Sequence, residues 1–381
     1  MSMNQAKYAR GYFMPPEESL EWTKKEYIEN TFRIGTDIFN KVSYIYGANG
    51  SGKTYFCKVL REIQRLIAWS PISSLNDKKV MSMPQFEEMG KPVVNFAFDT
   101  SYKEKPTFFA IEVVIDEITY HYEFSVIGKK VVSELLSKKF RRTEKLLERT
   151  SPAFQDISLR SDLKSFEMNK YVVKEEALCL PMAALLNNET ANVVIDAIRS
   201  ISVLNMTAPR LSPHEAEKSF AEERIAKYVK ILRKADPTLR QMKVSCQEEE
   251  TARQKIESDD FENREIIETK TTVGVETEHA VFENDIEKGR IPIDFFKDES
   301  LGTVKLFTAL PHLFDVLENG GVLILDEIEN GLHPVLVKEM LELFMNGESN
   351  PKNAQLICTT HQPLLVNEKV RRDQVWITNK N

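Results

Sequence analysis

Long apolar runs and paired cysteines are both missing from this 381-residue sequence. A membrane-spanning helix needs about 18 or more consecutive apolar residues, and the polar start of the chain, Met1 to Arg10, lacks the charged-then-apolar order of a signal peptide. The four cysteines are scattered without a CxxC pair, which argues against disulfides and against a zinc site. These absences predict a cytoplasmic protein with free thiols.

An excess of positive charge is also lacking, since the net charge is −7. Contact with a nucleic acid would therefore need a local basic patch. The best patch is Lys138-Lys139-Phe140-Arg141-Arg142 with Lys145; nearby acids favour a solvated strand end, and a nucleic-acid contact stays open. No metal-binding cluster is predicted for four of the histidines: His121, His214, His279 and His312.

A phosphate-binding loop is the most specific motif in the chain. Gly47-Ala48-Asn49-Gly50-Ser51-Gly52-Lys53-Thr54 fits G-x-x-x-x-G-K-[ST] at every defined position. The motif follows the second of two short strands predicted between Phe32 and Tyr46, and it opens a helix predicted from Lys53 to about Trp69. The residues predicted to bind a nucleotide here are Gly47, Asn49, Gly50, Ser51, Gly52, Lys53, Thr54 and Tyr55.

The chemistry of such a loop depends on backbone N–H groups that surround the β-phosphate. Lys53 would reach the β- and γ-phosphates, and Thr54 would offer its hydroxyl to Mg²⁺. The strand, loop and helix order is the structural context that this motif requires. An accidental glycine turn is therefore disfavoured.

Two adjacent acids end a buried apolar strand in the last third of the chain. Leu323-Ile324-Leu325 leads directly into Asp326 and Glu327, and ligands bind at the carboxyl ends of strands in open α/β sheets. Asp326 is predicted to bind Mg²⁺ through the water shell of the ion, with the Thr54 hydroxyl as a further ligand, and Glu327 to orient and deprotonate the water that attacks the γ-phosphate. The second acid favours hydrolysis over simple nucleotide binding.

The middle of the chain carries β-type and helical patterns in turn. Alternating and β-branched residues from Val93 to Phe140 predict an antiparallel meander, and Ala177 to Lys234 has a helical pattern. The charged stretch from Gln247 to Lys270 is either a mobile loop or a solvated hairpin. Heptads long enough for coiled-coil arms are absent from the sequence.

The predicted fold class is α/β. Apolar runs at 321–325 and 355–358, with a helix at Pro334–Met345 between them, predict strands of a parallel sheet covered on both faces. We expect a P-loop head with a mainly parallel core sheet, an inserted antiparallel β-lobe and an inserted helical region. The predicted segments are residues 1–92 with the phosphate loop, 93–150 as the β-lobe, 151–270 as the helical and charged insertion, and 271–381 as the C-terminal part of the ATPase domain.

Three further segments make the sequence resemble ABC-type ATPases. Asp298-Glu299-Ser300-Leu301-Gly302-Thr303 opens an apolar-periodic segment, as the family's signature loop does. Glu329-Asn330-Gly331-Leu332-His333-Pro334 follows the acids where the family has its D-loop, and Cys358-Thr359-Thr360-His361 ends the next strand where the family has its switch histidine. The resemblance implies that Ser300, Gly302 and Thr303 bind nucleotide, and that His361 joins Lys53 and Glu327 as a catalytic residue.

Longer runs of sequence, most of them in the C-terminal third, make the resemblance specific to one group of ABC ATPases. The runs 282–334 and 353–376, with the meander 108–140, look like the stand-alone ABC ATPases of bacterial abortive-infection and related anti-phage systems, which are related to the ATPase domains of OLD-type nucleases and to RecF and SMC heads. In ABC proteins the signature loop of one subunit binds the γ-phosphate held by another. The resemblance therefore implies ATP and Mg²⁺ as cofactors and a homodimer or higher oligomer joined through shared ATP sites.

The output implied by this group is an ATP-driven sensor or scaffold in phage defence. About twenty residues follow His361, too few for the nuclease domain of OLD-type enzymes, so the effector is expected to be a separate nuclease or toxin. The alternative is a DNA-repair or chromosome-maintenance ATPase that resembles RecF or SMC heads and binds DNA directly. Asp326-Glu327 disfavours a nucleotide-binding module without turnover, and no membrane partner is expected.

Overall fold

The structure divides into two compact units. It is a computed structural model that describes residues 9–10, 30–35, 37–75, 83–93, 105–207, 220–256, 264–365 and 370–378. The first unit comprises Met1–Val203, Gly321–Asp326 and Asn353–Asn381, and the second comprises Leu204–Gly320 and Glu327–Lys352. Within the described ranges, no helix combines the length and apolarity needed to cross a bilayer.

The described residues form both strands and helices. The strands are β1 (Ala9–Arg10), β2 (Thr31–Ile34), β3 (Asp37–Asn40), β4 (Val42–Tyr46), β5 (Thr107–Ile115), β6 (Ile118–Ile127), β7 (Lys130–Lys139), β8 (Thr143–Arg149), β9 (Ile157–Leu159), β10 (Ser202–Asn205), β11 (Leu239–Ile256), β12 (Arg264–Glu283), β13 (Ile286–Asp294), β14 (Val322–Asp326), β15 (Gln355–Thr360) and β16 (Val375–Ile377). The helices are α1 (Lys53–Ser74), α2 (Pro84–Glu87), α3 (Cys179–Leu185), α4 (Glu189–Arg199), α5 (Glu222–Leu232), α6 (Phe295–Asp298), α7 (Leu301–Asn319) and α8 (Pro334–Met345). Short 3₁₀ segments lie at Phe154–Asp156, Ser161–Val172, Pro363–Leu365 and Arg372–Gln374.

A parallel sheet supports the predicted nucleotide site. Its strand order is β10-β14-β15-β4-β16, and the pairs β14–β15, β15–β4 and β16–β4 are all parallel. Tyr46 at the end of β4 pairs with Thr360 of β15 and with Ile377 of β16. The carboxyl ends of these strands therefore meet at one edge, which is where ligands bind in open α/β sheets.

Helix α1 connects this edge to the core of the first unit. Its residues Leu60, Ile63 and Ile67 recur at helical spacing and are buried. They belong to one apolar cluster with Tyr122 of β6 and Val194 of α4. Because the helix begins at Lys53, this packing also fixes where the phosphate loop ends.

The predicted antiparallel meander is confirmed over the described residues. Strands β5 to β9 form consecutive antiparallel pairs, and β1 adds to β5 in parallel. Asp116 and Glu117 both have positive φ, 48° and 67°, as the two central residues of a tight hairpin turn do. Residues 94–104, within the predicted span, lie outside the described residues.

A buried carboxylate joins this lobe to α3. Glu134 is 1% exposed and accepts hydrogen bonds from the Tyr122 hydroxyl (2.9 Å) and from the backbone N–H groups of Cys179 (2.7 Å) and Leu180 (2.9 Å). Burial raises the pKa of Glu134, and the charge of Arg149 acts in the opposite direction. Arg149 itself is buried and donates to the Ala177 carbonyl at 2.7 Å.

The second unit combines a long hairpin with a helical core. Strands β11 and β12 pair antiparallel from Leu239 and His279 out to Ile256 and Arg264, and β13 covers only the inner part of β12. The aromatic ring of Phe307 in α7 packs against Tyr228 of α5 at 6.4 Å between centroids and against Phe295 of α6 at 4.9 Å. These contacts hold helix α7, which the predicted signature loop opens, in place.

Three sequence predictions need correction or completion. The stretch from Phe32 to Tyr46 holds three strands, because β2 and β3 form a hairpin before β4 joins the sheet. Helix is wrong at Ser202–Asn205, where a short strand, β10, joins the parallel sheet beside β14. The charged stretch from Gln247 to Lys270 was predicted as either a mobile loop or a hairpin, and its described residues form a hairpin. Residues 257–263 lie outside the described residues. Helix α8 has the predicted bounds.

Replacement of Glu134 by alanine is expected to lower the free energy of unfolding by about 3 kcal/mol or more, because it leaves several buried donors and the Arg149 charge uncompensated. Chemical denaturation followed by circular dichroism measures the loss. Glu148→Ala is the matched control on β8, since Glu148 pairs with Lys145 at the surface. Equal stability of the Glu134→Ala and Glu148→Ala proteins would contradict a structural role for the buried carboxylate.

Candidate functional site

The phosphate loop turns directly from β4 into α1. Gly52 has φ 102° and occupies the position before the first helical residue, where a side chain would be strained. A Cβ atom on Gly47 would lie 2.2 Å from the Thr378 hydroxyl oxygen, so the close approach of the chain after β16 requires glycine there. Thr378 also donates its N–H to the Tyr46 carbonyl at 2.8 Å.

Lys53 lies inside this loop and is 6% exposed. Its ammonium donates to the carbonyl oxygens of Gly47 (2.6 Å) and Ala48 (3.1 Å). The buried charge is thus held by neutral acceptors at the centre of a loop rich in backbone donors. A bound phosphate would be attracted by both the ammonium and the amides.

Other predicted nucleotide-binding residues of the first unit differ in exposure. Asn49 and Gly50 are exposed at the loop tip, whereas Ser51 is buried and its hydroxyl lies 2.7 Å from that of Thr378. Tyr55 is 52% exposed, and the Lys58 ammonium lies 5.2 Å from the centre of its ring. An exposed aromatic face beside the loop could contact a nucleotide base or ribose.

Asp326 and Thr54, the two predicted metal ligands, lie together. Asp326 is 2% exposed, and its Oδ1 accepts hydrogen bonds from the hydroxyls of Thr359 (2.7 Å) and Thr54 (3.4 Å). Carboxylate and hydroxyl oxygens are ligands that Mg²⁺ uses, directly or through its bound waters. The donor set therefore fits a magnesium ion that Thr54 would hold directly and Asp326 would hold through water.

The charge of Asp326 also affects its surroundings. Burial, followed by the nearby charge of Asp326, raises the pKa of the Cys57 thiol. Cys57 is thus a buried thiol on α1 whose ionisation is disfavoured.

His361 follows the last residue of β15. Because Thr360 pairs with Tyr46, the strand end that carries His361 lies beside the strand end that leads into the phosphate loop. Its side chain is exposed. The register thus brings the predicted switch histidine to the same sheet edge as Gly47 and Asp326.

Glu327 begins the second unit, directly after Asp326 in the chain. Its φ of 56° is unusual for a residue other than glycine. The side-chain Oε2 accepts hydrogen bonds from Thr207 Oγ1 (3.0 Å) and Asn330 Nδ2 (2.9 Å). The predicted general base is therefore a carboxylate with two fixed donors.

The predicted signature loop forms the N-terminal cap of α7. The Ser300 hydroxyl oxygen accepts the Thr303 N–H at 3.1 Å and lies 2.8 Å from the Thr303 hydroxyl. A Cβ atom on Gly302 would lie 2.6 Å from the carbonyl oxygen of Gly331, so this glycine permits backbone contact with the D-loop. Leu301, between Ser300 and Gly302, is 67% exposed.

Several contacts of the site were not foreseen from the sequence. Thr359 and Thr378 in the first unit, and Thr207 and Lys305 in the second, carry no motif of their own, although Thr359 stands two residues before His361. His279 was predicted to lie outside any metal-binding cluster, yet its ring nitrogens lie 3.2 Å from Asp236 and 2.9 Å from Glu299. The two acids contact opposite nitrogens of one ring. Another histidine in that prediction, His214, lies outside the described residues.

Comparisons with solved structures give distant matches. The SmcHead bound to the C-winged helix domain of ScpA is 15% identical with a TM-score of 0.34, covering 89% of this chain and 90% of that one. The SMC head domain from Thermotoga maritima is 12% identical with a TM-score of 0.29, covering 88% of each chain. The recombination mediator protein RecF is 12% identical with a TM-score of 0.26, covering 91% of this chain and 95% of that one.

A short local match links the chain to 2-isopropylmalate synthase of Helicobacter hepaticus. It is 73% identical over 26 residues, which are 7% of this chain and 5% of that protein. The chain thus spans a small fraction of that protein, and the match says nothing about a shared activity.

The family comparison covers most of the chain. The model described as "AAA domain, putative AbiEii toxin, Type IV TA system" matches residues 42–174 and 183–367. These spans include the phosphate loop, the signature loop, Asp326-Glu327 and His361. The sequence-based recognition of an ABC-type P-loop ATPase of the abortive-infection group is confirmed, and the chain belongs to this AAA-domain family.

Proposed function

We propose that the chain binds Mg²⁺ and ATP at the phosphate loop and hydrolyses ATP. The observation that carries the proposal is the meeting of the Thr54 and Thr359 hydroxyls on the buried Asp326 carboxylate, next to a loop that encloses the Lys53 ammonium. This is the donor set that an ATP-bound magnesium ion needs. When bound, Mg²⁺ would neutralise charge on the β- and γ-phosphates.

The chain's own residues have separate roles in this proposal. Lys53 binds the β- and γ-phosphates, Glu327 orients the attacking water and accepts its proton, and His361 contacts the γ-phosphate. Asn49, Gly50 and Tyr55 border the nucleotide.

Two copies would share their ATP sites. Ser300, Gly302 and Thr303 lie at the N-terminus of a 19-residue helix, which attracts a phosphate through its free N–H groups and its dipole. Exposure of Leu301 and of Val335, at 67% and 49%, leaves apolar surface beside the signature and D-loops for a second copy. ATP would join the two copies head to tail, and hydrolysis would separate them.

The biological output proposed is that of a sensor or scaffold in anti-phage defence that controls a separate effector nuclease or toxin. The support is the family description, which names an abortive-infection toxin of a type IV toxin–antitoxin system. ATP-dependent assembly would supply the two states, joined and separate, that a switch requires.

Direct DNA binding, as in a repair or chromosome-maintenance ATPase, has weaker support. Lys138 and Lys145 of the basic patch pair with Asp162 and Glu148 at 2.6 and 2.7 Å. The patch therefore has fewer free charges than its sequence indicates. A DNA-binding titration over a range of salt concentrations tests this alternative, since phosphate contacts make affinity fall steeply with salt.

Lys53→Ala and Glu327→Gln are expected to separate binding from turnover. Lys53→Ala should lose ATP binding, whereas Glu327→Gln should bind ATP normally and turn it over at least about 100-fold more slowly, because the water loses its base. Phosphate release, fluorescent-nucleotide binding and light scattering on the same samples give the three readouts. The proposal fails if Glu327→Gln hydrolyses ATP like the wild type or stays monomeric in saturating Mg²⁺ and ATP.

A mixing experiment tests the shared site. Lys53→Ala lacks a working phosphate loop and Ser300→Arg a working signature loop, so each should be inactive alone. A mixed dimer contains one composite site with both intact loops, and an equal mixture should recover roughly a quarter of wild-type turnover. Ser300→Arg alone, at the same total protein concentration as the mixture, is the control. No recovery, although both variants fold, would argue that each chain works by itself.

A further inference from the structure

Asn330 lies between the signature helix and the predicted general base. Its side-chain Nδ2 donates to Glu327 Oε2 at 2.9 Å, and its Oδ1 accepts from Lys305 Nζ at 2.7 Å. An ammonium can only donate and a carboxylate can only accept, so these two partners fix which way the amide points. The backbone N–H of Asn330 also donates to the Glu327 carbonyl at 2.9 Å.

Lys305 is a buried cation on α7, five residues after Ser300 and 7% exposed. Its ammonium donates to the Asn330 side chain and to the Asn330 backbone carbonyl at 3.2 Å. Both of these acceptors are neutral oxygen atoms. A buried charge held only by neutral acceptors is costly, and the nearest negative charge in this chain of contacts is Glu327, reached through Asn330.

The amide dipole of Asn330 is aligned between two opposite charges. Its oxygen faces the Lys305 cation and its NH₂ group faces the Glu327 anion, so the amide dipole is favourable at both ends. Hydrogen bonds in such a series polarise and strengthen one another. Each contact of the series therefore depends on the others.

Backbone packing ties the same two segments together. The closest approach of the first turn of α7 to the D-loop is at Gly302 and Gly331, where an added Cβ would lie 2.6 Å from the Gly331 carbonyl oxygen. A Cβ atom on Gly331 would in turn lie 3.1 Å from Lys305 Nζ. Any shift of the start of α7 must therefore move the D-loop or break the contacts of Lys305.

We infer that Asn330 is a positioning residue that couples the signature helix to Glu327. When the start of α7 binds a γ-phosphate held by a second copy, the displacement passes through Lys305 and Asn330 to the Glu327 carboxylate of the same chain. Thr207, the other donor to Glu327 Oε2, keeps the carboxylate from swinging away while Asn330 moves it. This inference rests on the proposed hydrolytic role of Glu327 and on the proposed sharing of ATP sites between two copies.

Asn330→Asp distinguishes positioning from a purely structural role. The new carboxylate gives Lys305 a charged partner, but it removes the donor to Glu327 and places a like charge beside it. We expect Tm to stay within about 3 °C of the wild type, KM for ATP to stay within about twofold, and kcat to fall about tenfold or more. Thermal unfolding and steady-state phosphate release on the full-length protein measure all three.

The matched control is Asn284→Asp, which makes the same chemical change at the exposed turn between β12 and β13. It should leave kcat unchanged. Lys305→Met, which keeps the buried volume and removes the cation, should also lower kcat while fluorescent ATP still binds with wild-type affinity.

Three outcomes would overturn the inference. Wild-type kcat in Asn330→Asp would remove the need for an amide donor to Glu327, and a kcat that falls only in proportion to a loss of folded protein would make Asn330 structural. Absence of turnover in the wild type, with ATP still bound, would overturn the proposed hydrolysis and this inference with it. The first two outcomes leave the proposed hydrolysis intact, so the two failures are distinguishable.

Discussion

The hydrogen bonds to the buried carboxylate of Asp326 constrain the predicted nucleotide site of the first unit. Asp326 ends β14, Thr359 lies in β15, and Thr54 stands in the first turn of the helix that follows β4. A carboxylate that is almost fully buried needs hydrogen-bond donors or a cation, so these three segments cannot move independently. The start of α1 is fixed by the same contact, and the loop before it takes its shape from where that helix begins.

In the second unit, too, separate segments are held together by hydrogen bonds to buried polar groups, although the groups are different. There a buried cation, an amide and a carboxylate stand in series on α7, the D-loop and the residue after Asp326. The cluster around Asp326 has the oxygen ligands that a metal ion uses, whereas the series from Lys305 to Glu327 suits the transfer of a displacement of α7 to the carboxylate. The peptide bond between Asp326 and Glu327 joins the two clusters.

Local patterns in the sequence predicted the phosphate loop, the meander and helix α8 correctly, because each depends on residues close together in the chain. The glycine loop lies between strand and helix as the motif requires, and Pro334 marks the start of α8. Asp326 and Thr54 are 272 positions apart, yet their proximity followed from the rule that parallel strands end at one edge. The roles of the site residues remain predictions.

Contacts that depend on the register of distant strands or on loop packing could not be predicted. Thr378 reaches Gly47 because β16 lies beside β4, and a threonine after a short strand carries no distinctive signal. His279, Asp236 and Glu299 come from three separate segments and meet only because β12 folds back to the base of the hairpin. The β10 strand was predicted as helix because four residues give too short a pattern to show a period of two.

The hairpin of β11 and β12 has a consequence for solubility in a crowded cell. The described strands are 18 and 20 residues long, and β13 pairs with β12 only from Glu276 onward. Among the described residues, no third strand pairs with β11 or with β12 before Glu276, and an unpaired strand edge offers its N–H and C=O groups to any passing strand. The sequence from Gln247 to Lys270 has seven glutamates, two aspartates, two lysines and two arginines among its 24 residues. Charged residues at strand edges discourage the addition of other strands, and this stretch of sequence supplies them.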